Sequence, residues 1–309
     1  MGDLAQRRGV LGGWGQAVNV IATGTVCLGG ELPGKLDAWR AAGGDGVELW
    51  RADLDGQRDK PVRRALGRMK VVNVQPLHDY AGCPADLRAA KRTEAAAVLS
   101  EACYWDAALL CCAATHPRAN RQMITRDLRD LAHWAELAGT EIWYEALPWS
   151  TWDHTLPAAW ERVVKVDRPN VKVVVDTWHH LVTGGCPSFV RRLDPARVGL
   201  VQISDLCREP TREDLITVAR NDRALPGDGY MAKPITMIVD SLLDAGYAGP
   251  FSAEAMNRSL RAADPYDAAG KIMAALGRVL PTLSSPPAGR VTERNGAGTV
   301  HRCQPLIPG

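Results

Sequence analysis

The feature that most constrains the fold is a series of eight short apolar segments, which alternate with longer amphipathic ones. The apolar segments are rich in β-branched or aromatic residues and are bounded by Gly, Pro or polar residues, a pattern typical of β-strands. Their near-continuous apolarity indicates strands that are covered on both faces, as in a parallel sheet. The predicted strands span residues 18–26, 45–50, 69–76, 107–113, 140–147, 171–178, 198–205 and 250–256.

Helical patterns lie between these strands, at residues 33–43, 86–103, 122–138, 155–165, 234–246 and 263–280. Between the sixth and seventh strands the sequence predicts only a short, broken helix. Eight strands that alternate with helices indicate a parallel α/β architecture, for which a closed (β/α)8 TIM barrel is the simplest solution at this length. A doubly wound open sheet is the alternative. It is disfavoured because no GxGxxG spacing follows the first strand and no Walker lysine follows a Gly-rich loop.

The distribution of apolar residues predicts one catalytic barrel domain at residues 17–282, after a loose segment at 1–16. Residues 283–309 are rich in Pro, Gly, Ser and charge, which predicts a disordered tail. The net charge of +2 gives no long-range field that would favour nucleic acid or a membrane as a partner. We find neither a long apolar span nor a signal peptide, and therefore expect a cytoplasmic protein, either a monomer or a homo-oligomer.

The chain has eight cysteines and no CxxC pair. Several of them lie in apolar, strand-like segments, where a free cysteine behaves as a small hydrophobic residue. We therefore expect reduced core residues rather than disulfides or a thiolate metal site.

Polar residues end four consecutive predicted strands: Glu145, Asp176, Gln202 and Glu254. In a (β/α)8 barrel, functional groups lie at the carboxyl ends of the strands. A single carboxylate there would be interpreted as a helix cap or a surface charge. Three buried together, however, require a cation to neutralise them. Four oxygen donors favour Mg2+, Mn2+ or Co2+ over a structural Zn2+.

The segments KLDAWRAAGGDGVELW, YEALPW, VVVDTWHHL, VQISD, ALPGDG and GYAGPFSAEAMN, in that order, resemble the sugar phosphate isomerase/epimerase superfamily of xylose isomerase-like barrels. The similarity is greatest to the bacterial 3-dehydroshikimate dehydratases. The resemblance implies that Glu145, Asp176, Gln202 and Glu254 hold one divalent ion, which is Mn2+, Mg2+ or Co2+, with Zn2+ possible. It also implies that His179 is a catalytic acid or base beside that ion.

The sequence departs from the dehydratase pattern in the segment expected to contact substrate. The family's RH.R motif corresponds here to residues 220–223, where Asn221 replaces the histidine. Ala219 precedes this segment at a position where the dehydratase branch has a hydroxyl. The fold and metal site are compatible with these changes, but the identity of the substrate stays open.

Further candidates surround the strand ends. We expect His78, Arg220, Arg223 and Trp178 to contact substrate. For His78 the alternative is a loop-capping role, and for the two arginines it is a solvated loop instead of a clamp on a carboxylate or phosphate. The ring of Trp178 is either a stacking surface or part of the core.

These residues predict proton-transfer chemistry on a small polyhydroxy carbonyl compound. A divalent ion acts as a Lewis acid and stabilises the enolate that forms when the α-proton leaves. Loss of a β-hydroxyl then gives a dehydratase acting on 3-dehydroshikimate or a similar cyclic polyhydroxy ketone, which is our first hypothesis. The alternative is a sugar (phosphate) isomerase or epimerase that moves a proton through an enediolate, with Glu145 and Glu254 as catalytic groups on opposite faces.

Overall fold

The computed structural model describes residues 19–54 and 60–280. Its strands, in chain order, are β1 (Ile21–Gly24), β2 (Gly46–Trp50), β3 (Lys70–Leu77), β4 (Ala108–Cys112), β5 (Ile142–Glu145), β6 (Val171–Asp176), β7 (Val198–Ile203), β8 (Asp205–Leu206), β9 (Arg223–Ala224) and β10 (Phe251–Ala253). Eight of them close a parallel barrel in the order β1-β10-β7-β6-β5-β4-β3-β2, while β8 and β9 form a separate antiparallel pair. The predicted (β/α)8 barrel is therefore confirmed.

Helices connect the barrel strands and cover their outer faces. They are α1 (Leu32–Ala41), α2 (Arg51–Leu54), α3 (Lys60–Leu66), α4 (Arg88–Tyr104), α5 (Arg121–Leu137), α6 (Leu156–Val166), α7 (Thr177–Val182), α8 (Leu215–Asn221), α9 (Ala232–Asp244), α10 (Arg258–Ala262) and α11 (Pro265–Val279). Between β6 and β7 the chain forms the short α7 and two 3-10 turns, as the broken pattern predicted.

Side-chain caps determine where several helices begin. Asn120, Thr155 and Asp264 accept hydrogen bonds from backbone N–H groups in the first turns of α5, α6 and α11. Such caps satisfy N–H groups that have no partner within the helix. Asp176 does the same for α7, since its Oδ1 accepts from the backbone N–H of His179 at 3.0 Å. The last residue of β6 thereby fixes the start of the following helix.

Apolar side chains fill the lower interior of the barrel, because alternate strand residues point inwards. This inner cluster includes Ala22, Val72, Leu110, Trp143, Val174 and Leu200. The indole of Trp143 requires a glycine at position 199, where a Cβ atom would lie 2.5 Å from the ring. A larger core lies between the barrel wall and the helices. The barrel is therefore closed below, and polar groups are confined to its upper end.

The cysteine prediction is correct for part of the chain. The seven cysteines among the described residues form no disulfide, and Cys27, Cys83, Cys111 and Cys112 are buried. Cys186 and Cys207 are exposed, which corrects the expectation of core positions, because both lie in loops rather than strands. Cys303 lies outside the described residues, as do the predicted loose segment 1–16 and tail 283–309.

Within the described part of the chain, no helix combines the length and apolar character needed to cross a membrane.

A buried ion pair between Asp153 and Arg162 connects β5 to helices α5 and α6. Asp153 accepts from Arg162 Nε at 2.9 Å and Nη2 at 3.0 Å, and from the Tyr144 hydroxyl at 2.8 Å. Arg162 Nη1 also donates to Thr125 Oγ1 of α5 at 2.8 Å. Because Tyr144 precedes Glu145, this contact on the outer face fixes the end of the strand from which Glu145 points inwards.

We expect Asp153→Ala to lower the free energy of unfolding by about 3–5 kcal/mol, because it leaves the charge of Arg162 buried and unpaired. Urea denaturation measures this change. Asp86→Ala is the matched control, since the ion pair of Asp86 with Arg118 is exposed and should contribute little. Equal losses in the two variants would contradict the role given to Asp153.

Candidate active site

The four predicted ligand residues meet at the carboxyl end of the barrel. Glu145 ends β5, Asp176 ends β6, Gln202 lies near the end of β7 and Glu254 directly follows β10. These strands are neighbours in the barrel, and all four side chains are at least 95% buried. The four residues predicted from the sequence therefore form one compact polar cluster, above the apolar side chains that fill the lower barrel.

Arg223 of β9 supplies positive charge within this cluster. Its Nη1 donates to Asp176 Oδ2 at 2.9 Å and to Glu254 Oε2 at 3.2 Å. Its Nε donates to the backbone carbonyl of Ala219 at 2.7 Å, which fixes the direction of the guanidinium. The side chain is 2% exposed. Arg223 is therefore part of the buried site and not of its rim.

His179 lies in the first turn of α7, between this arginine and the carboxylates. Its Nε2 is 3.0 Å from Arg223 Nη2, and because a guanidinium only donates, Nε2 accepts and Nδ1 carries the proton. Nδ1 lies 3.1 Å from Glu145 Oε1 and 3.4 Å from Asp176 Oδ2. Neither contact has hydrogen-bond geometry. The Nδ1 proton is therefore close to two carboxylates and free to engage another acceptor.

Aromatic rings fix the plane of the His179 imidazole. Trp149 and Trp178 pack edge-on against it, with centroid distances of 5.4 and 5.8 Å. The next residue, His180, has its Nε2 2.9 Å from the carbonyl of Cys186 and lies outside the cluster. Only the first of the two adjacent histidines therefore joins the site.

The electrostatics of the cluster favour binding of a cation. Burial raises the pKa of Glu254 well above its usual range; Arg223 opposes this effect, and the neighbouring Glu145 adds to it. Burial also raises the pKa of Glu48 to about 7. For Asp176 burial acts in the same direction, but His179 and Arg223 outweigh it and lower the pKa. Four carboxylates, including Glu48, are thus buried at this end of the barrel, and two of them contact the guanidinium of Arg223.

The donor atoms fit a divalent metal ion. Carboxylate oxygens of Glu145 and Asp176 lie within 4.8 Å of each other and of a ring nitrogen of His179. Gln202 Oε1 is buried without a hydrogen-bond partner, while its Nε2 donates to Glu48 Oε2 at 3.0 Å. A buried acceptor left unpaired costs about 1–3 kcal/mol, which a bound cation would remove. Oxygen-rich donor sets of this kind suit hard divalent ions.

A model of the xylose isomerase-like TIM barrel family matches residues 36–277. The chain belongs to this family. It is 32% identical over 247 residues to a 3-dehydroshikimate dehydratase of Pseudomonas aeruginosa and 32% identical over 246 residues to one of Pseudomonas putida. Each match covers 77% of this chain but only 38% of the relative, so the chain spans well under half the length of these family members.

Solved structures share the same barrel. A xylose isomerase-like TIM barrel/4-hydroxyphenylpyruvate dioxygenase fusion protein has a TM-score of 0.78 and 30% identity, over 84% of this chain and 42% of that one. The IOLI protein with a zinc atom has a TM-score of 0.73 and 18% identity, over 86% of this chain and 98% of that one. The family resemblance seen in the sequence is thereby confirmed.

Of the residues expected to contact substrate, His78 and Arg220 lie outside the buried cluster, in the segments that follow β3 and β8. His78 directly follows β3 and is half-buried, and this burial lowers its pKa, although the charge of Glu145 opposes the shift. Arg220, near the end of α8, is exposed. The position of both residues at the carboxyl end of the barrel is compatible with substrate contact.

The other two expected substrate contacts, Trp178 and Arg223, require correction. Trp178 is fully buried and packs 5.1 Å from the guanidinium of Arg223, so its ring offers no face to a ligand. Arg223 is held by Asp176, Glu254 and the other acceptors, so it cannot act as a clamp together with the exposed Arg220. Trp149, which is half-buried against His179, is the accessible aromatic residue instead.

The sequence analysis missed several polar residues that point into the barrel. The thiol of Cys112, at the end of β4, donates to Glu145 Oε2 at 3.3 Å. The apolar segment around Cys112 had indicated an ordinary core cysteine. Asn73 and Gln75 of β3 both donate to Glu48 Oε2. The signal for these amides was present, because two polar residues two positions apart in an apolar strand share one face.

We expect Arg223→Met to lower the free energy of unfolding of the metal-free protein by about 3–5 kcal/mol at about pH 8, since it leaves the carboxylates uncompensated. The loss should shrink towards about pH 5. Without the Arg223 guanidinium, the folded-state pKa of Glu254 rises further above its unfolded-state value. A carboxyl group with a raised folded-state pKa lowers the free energy of unfolding as the pH rises. Urea denaturation in chelator at both pH values measures this.

Arg220→Met is the matched control for this experiment, because it removes an exposed arginine three residues away. It should leave the free energy of unfolding nearly unchanged at either pH. A loss in Arg223→Met that does not depend on pH would show that the guanidinium does not balance the carboxylates.

Proposed function

We propose that this chain is a divalent-metal-dependent dehydratase that acts on 3-dehydroshikimate or a similar cyclic polyhydroxy ketone. The observation that carries the proposal is the buried cluster in which His179 Nδ1 lies 3.1 Å from Glu145 Oε1 and 3.4 Å from Asp176 Oδ2. This cluster supports the proposal because the imidazole lies beside carboxylates that would bind a metal ion. The 32% identity to two proteins named as 3-dehydroshikimate dehydratases supports the choice of substrate.

The ion would be held by Glu145, Asp176, Gln202 and Glu254. Their oxygen donors suit Mn2+, Mg2+ or Co2+, and the zinc atom of the IOLI protein keeps Zn2+ among the candidates. Such an ion, when bound, supplies Lewis-acid polarisation of the substrate carbonyl.

In this proposal, two residues of the chain carry out the two proton transfers of a dehydration. A carboxylate takes the α-proton when the C–H bond breaks, and we assign this role to Glu254, whose side chain is oriented by Arg223 and Gln75. The β-hydroxyl leaves as water after it receives a proton. His179 Nδ1 is suited to give that proton, since Arg223 holds Nε2 as an acceptor. His179 is therefore assigned as the acid and Glu254 as the base.

The rim of the barrel provides the remaining contacts. Arg220 is an exposed cation on the loop side, and a guanidinium binds a substrate carboxylate through charge-assisted hydrogen bonds. His78 is positioned to contact a substrate hydroxyl. Trp149 provides an aromatic face beside His179 against which a substrate ring can pack.

A sugar isomerase or epimerase is the second candidate, and the separation of two carboxylates favours it. Glu145 and Glu254 extend from β5 and β10, which are separated in the barrel by β6 and β7. Carboxylates on two sides of a substrate could remove a proton from one face and return it to the other. In such an enzyme His179 would have a supporting role only.

Aromatic product formation distinguishes the two candidates. The purified chain is loaded with Mn2+ or Mg2+ and mixed with 3-dehydroshikimate, and we expect the absorbance of protocatechuate to appear. Excess chelator should abolish the reaction, and the ion should restore it. Inososes and ketohexoses are tested in parallel. Conversion of a ketohexose without any reaction of dehydroshikimate would establish the second candidate instead.

We expect His179→Asn to lower turnover by roughly two to four orders of magnitude, because it removes general acid catalysis. The fold and metal content should be kept, as measured by circular dichroism and elemental analysis. His180→Asn is the matched control, since the neighbouring imidazole contacts only the Cys186 loop in its hydrogen bonding and should affect stability at most. Wild-type turnover in His179→Asn would exclude this histidine as the acid.

A further inference from the structure

A second polar layer lies beneath the candidate metal ligands. Its centre is Glu48 of β2, which is fully buried. Glu48 Oε2 accepts three amide hydrogen bonds, from Asn73 Nδ2 at 2.7 Å, Gln202 Nε2 at 3.0 Å and Gln75 Nε2 at 3.1 Å. Gln202 belongs to β7, which is separated from β2 in the barrel by β1 and β10, so this contact crosses the interior.

This layer determines which end of the Gln202 amide faces the metal site. An amide group offers an N–H donor on one side and a carbonyl acceptor on the other. If the group were rotated by half a turn, its oxygen would face the carboxylate oxygen of Glu48, and two acceptors would be opposed. With Nε2 held at Glu48, the carbonyl oxygen Oε1 is directed away from it and lies buried without a partner.

The same layer reaches a second ligand candidate. Gln75 Nε2, which donates to Glu48, also lies 3.3 Å from Glu254 Oε1 and donates to it. Glu254 Oε2 is held from the other side by Arg223. Both oxygens of Glu254 therefore have a fixed direction, one of them through the amide that Glu48 orients.

We propose that Glu48 is a positioning residue for the metal centre, which turns the carbonyl oxygen of Gln202 towards the ion and orients Gln75 against Glu254. This inference rests on the metal centre of the proposed function. In this role Glu48 uses Oε2, which accepts the three amide hydrogen bonds. It acts through the amides, as the groups behind metal ligands commonly do.

Metal affinity in the absence of substrate tests this role. Glu48→Met keeps the length of the side chain but removes the acceptor, and we expect it to weaken Mn2+ binding roughly 10- to 100-fold. Glu48→Gln keeps an acceptor oxygen where the three amides converge and should bind Mn2+ with nearly wild-type affinity. Titration calorimetry and the electron paramagnetic resonance signal of free Mn2+ give both affinities.

If Glu48→Met does not fold, exchanging the side-chain types of Glu48 and Gln202 tests the same role. Gln202→Glu alone opposes two carboxylates across the contact that is 3.0 Å long in the wild type. The double variant Glu48→Gln with Gln202→Glu restores one donor and one acceptor. We expect the double variant to bind Mn2+ more tightly than Gln202→Glu alone, with a coupling that would be absent if the positions acted independently.

Three results would overturn the inference. If Glu48→Gln loses as much affinity as Glu48→Met, the negative charge matters and not the acceptor. If all variants bind Mn2+ as the wild type does, the layer has only a structural role. If the wild-type chain binds no divalent ion, the metal centre of the proposed function fails, and this inference fails with it. The second result leaves the proposed function intact, so the two failures are distinguishable.

Discussion

The burial of several carboxylates at one end of a barrel is the constraint on which the rest of this structure depends. Glu48, Glu145, Asp176 and Glu254 are each no more than 5% exposed, although isolated buried carboxylates are unfavourable. The surrounding groups compensate for this burial in three ways. Asp176 and Glu254 contact a guanidinium, Glu48 accepts three amide hydrogen bonds, and Glu145 has a thiol at one oxygen and an imidazole near the other.

These compensations explain why segments far apart in the sequence must meet. The guanidinium comes from β9, in the long connection between β7 and β10, and enters the site because the β8–β9 pair turns the chain back over the barrel. Asp205 of β8 stabilises this connection by accepting from the backbone N–H groups of Gly229 and Met231, each at 3.0 Å. A loop that looks peripheral in the sequence is therefore part of the charge balance of the centre.

The barrel, its eight strands and the polar residue at the end of each of four strands could be predicted from the sequence, because these features follow from local periodicity. The partners of those residues could not. Arg223 looks like a surface cation, and its burial depends on the path of the β8–β9 connection. Trp178 looks available to a ligand, but the guanidinium and His179 cover it. Burial of this kind is decided by contacts between distant segments, which periodicity does not record.

A bulge in β3 shows how the amides of the layer beneath the ligands reach the barrel interior. Val47 pairs with Val71, but Glu48 pairs with Asn73, so the register shifts by one residue at this point. Strict alternation with Val72 facing inwards would turn Asn73 outwards; the extra residue returns Asn73 and Gln75 to the inner face. There their amides donate to Glu48, which also accepts from Gln202 Nε2, while Gln202 Oε1 is buried without a hydrogen-bond partner. One inserted residue in a strand thus brings both amides to the carboxylate of Glu48.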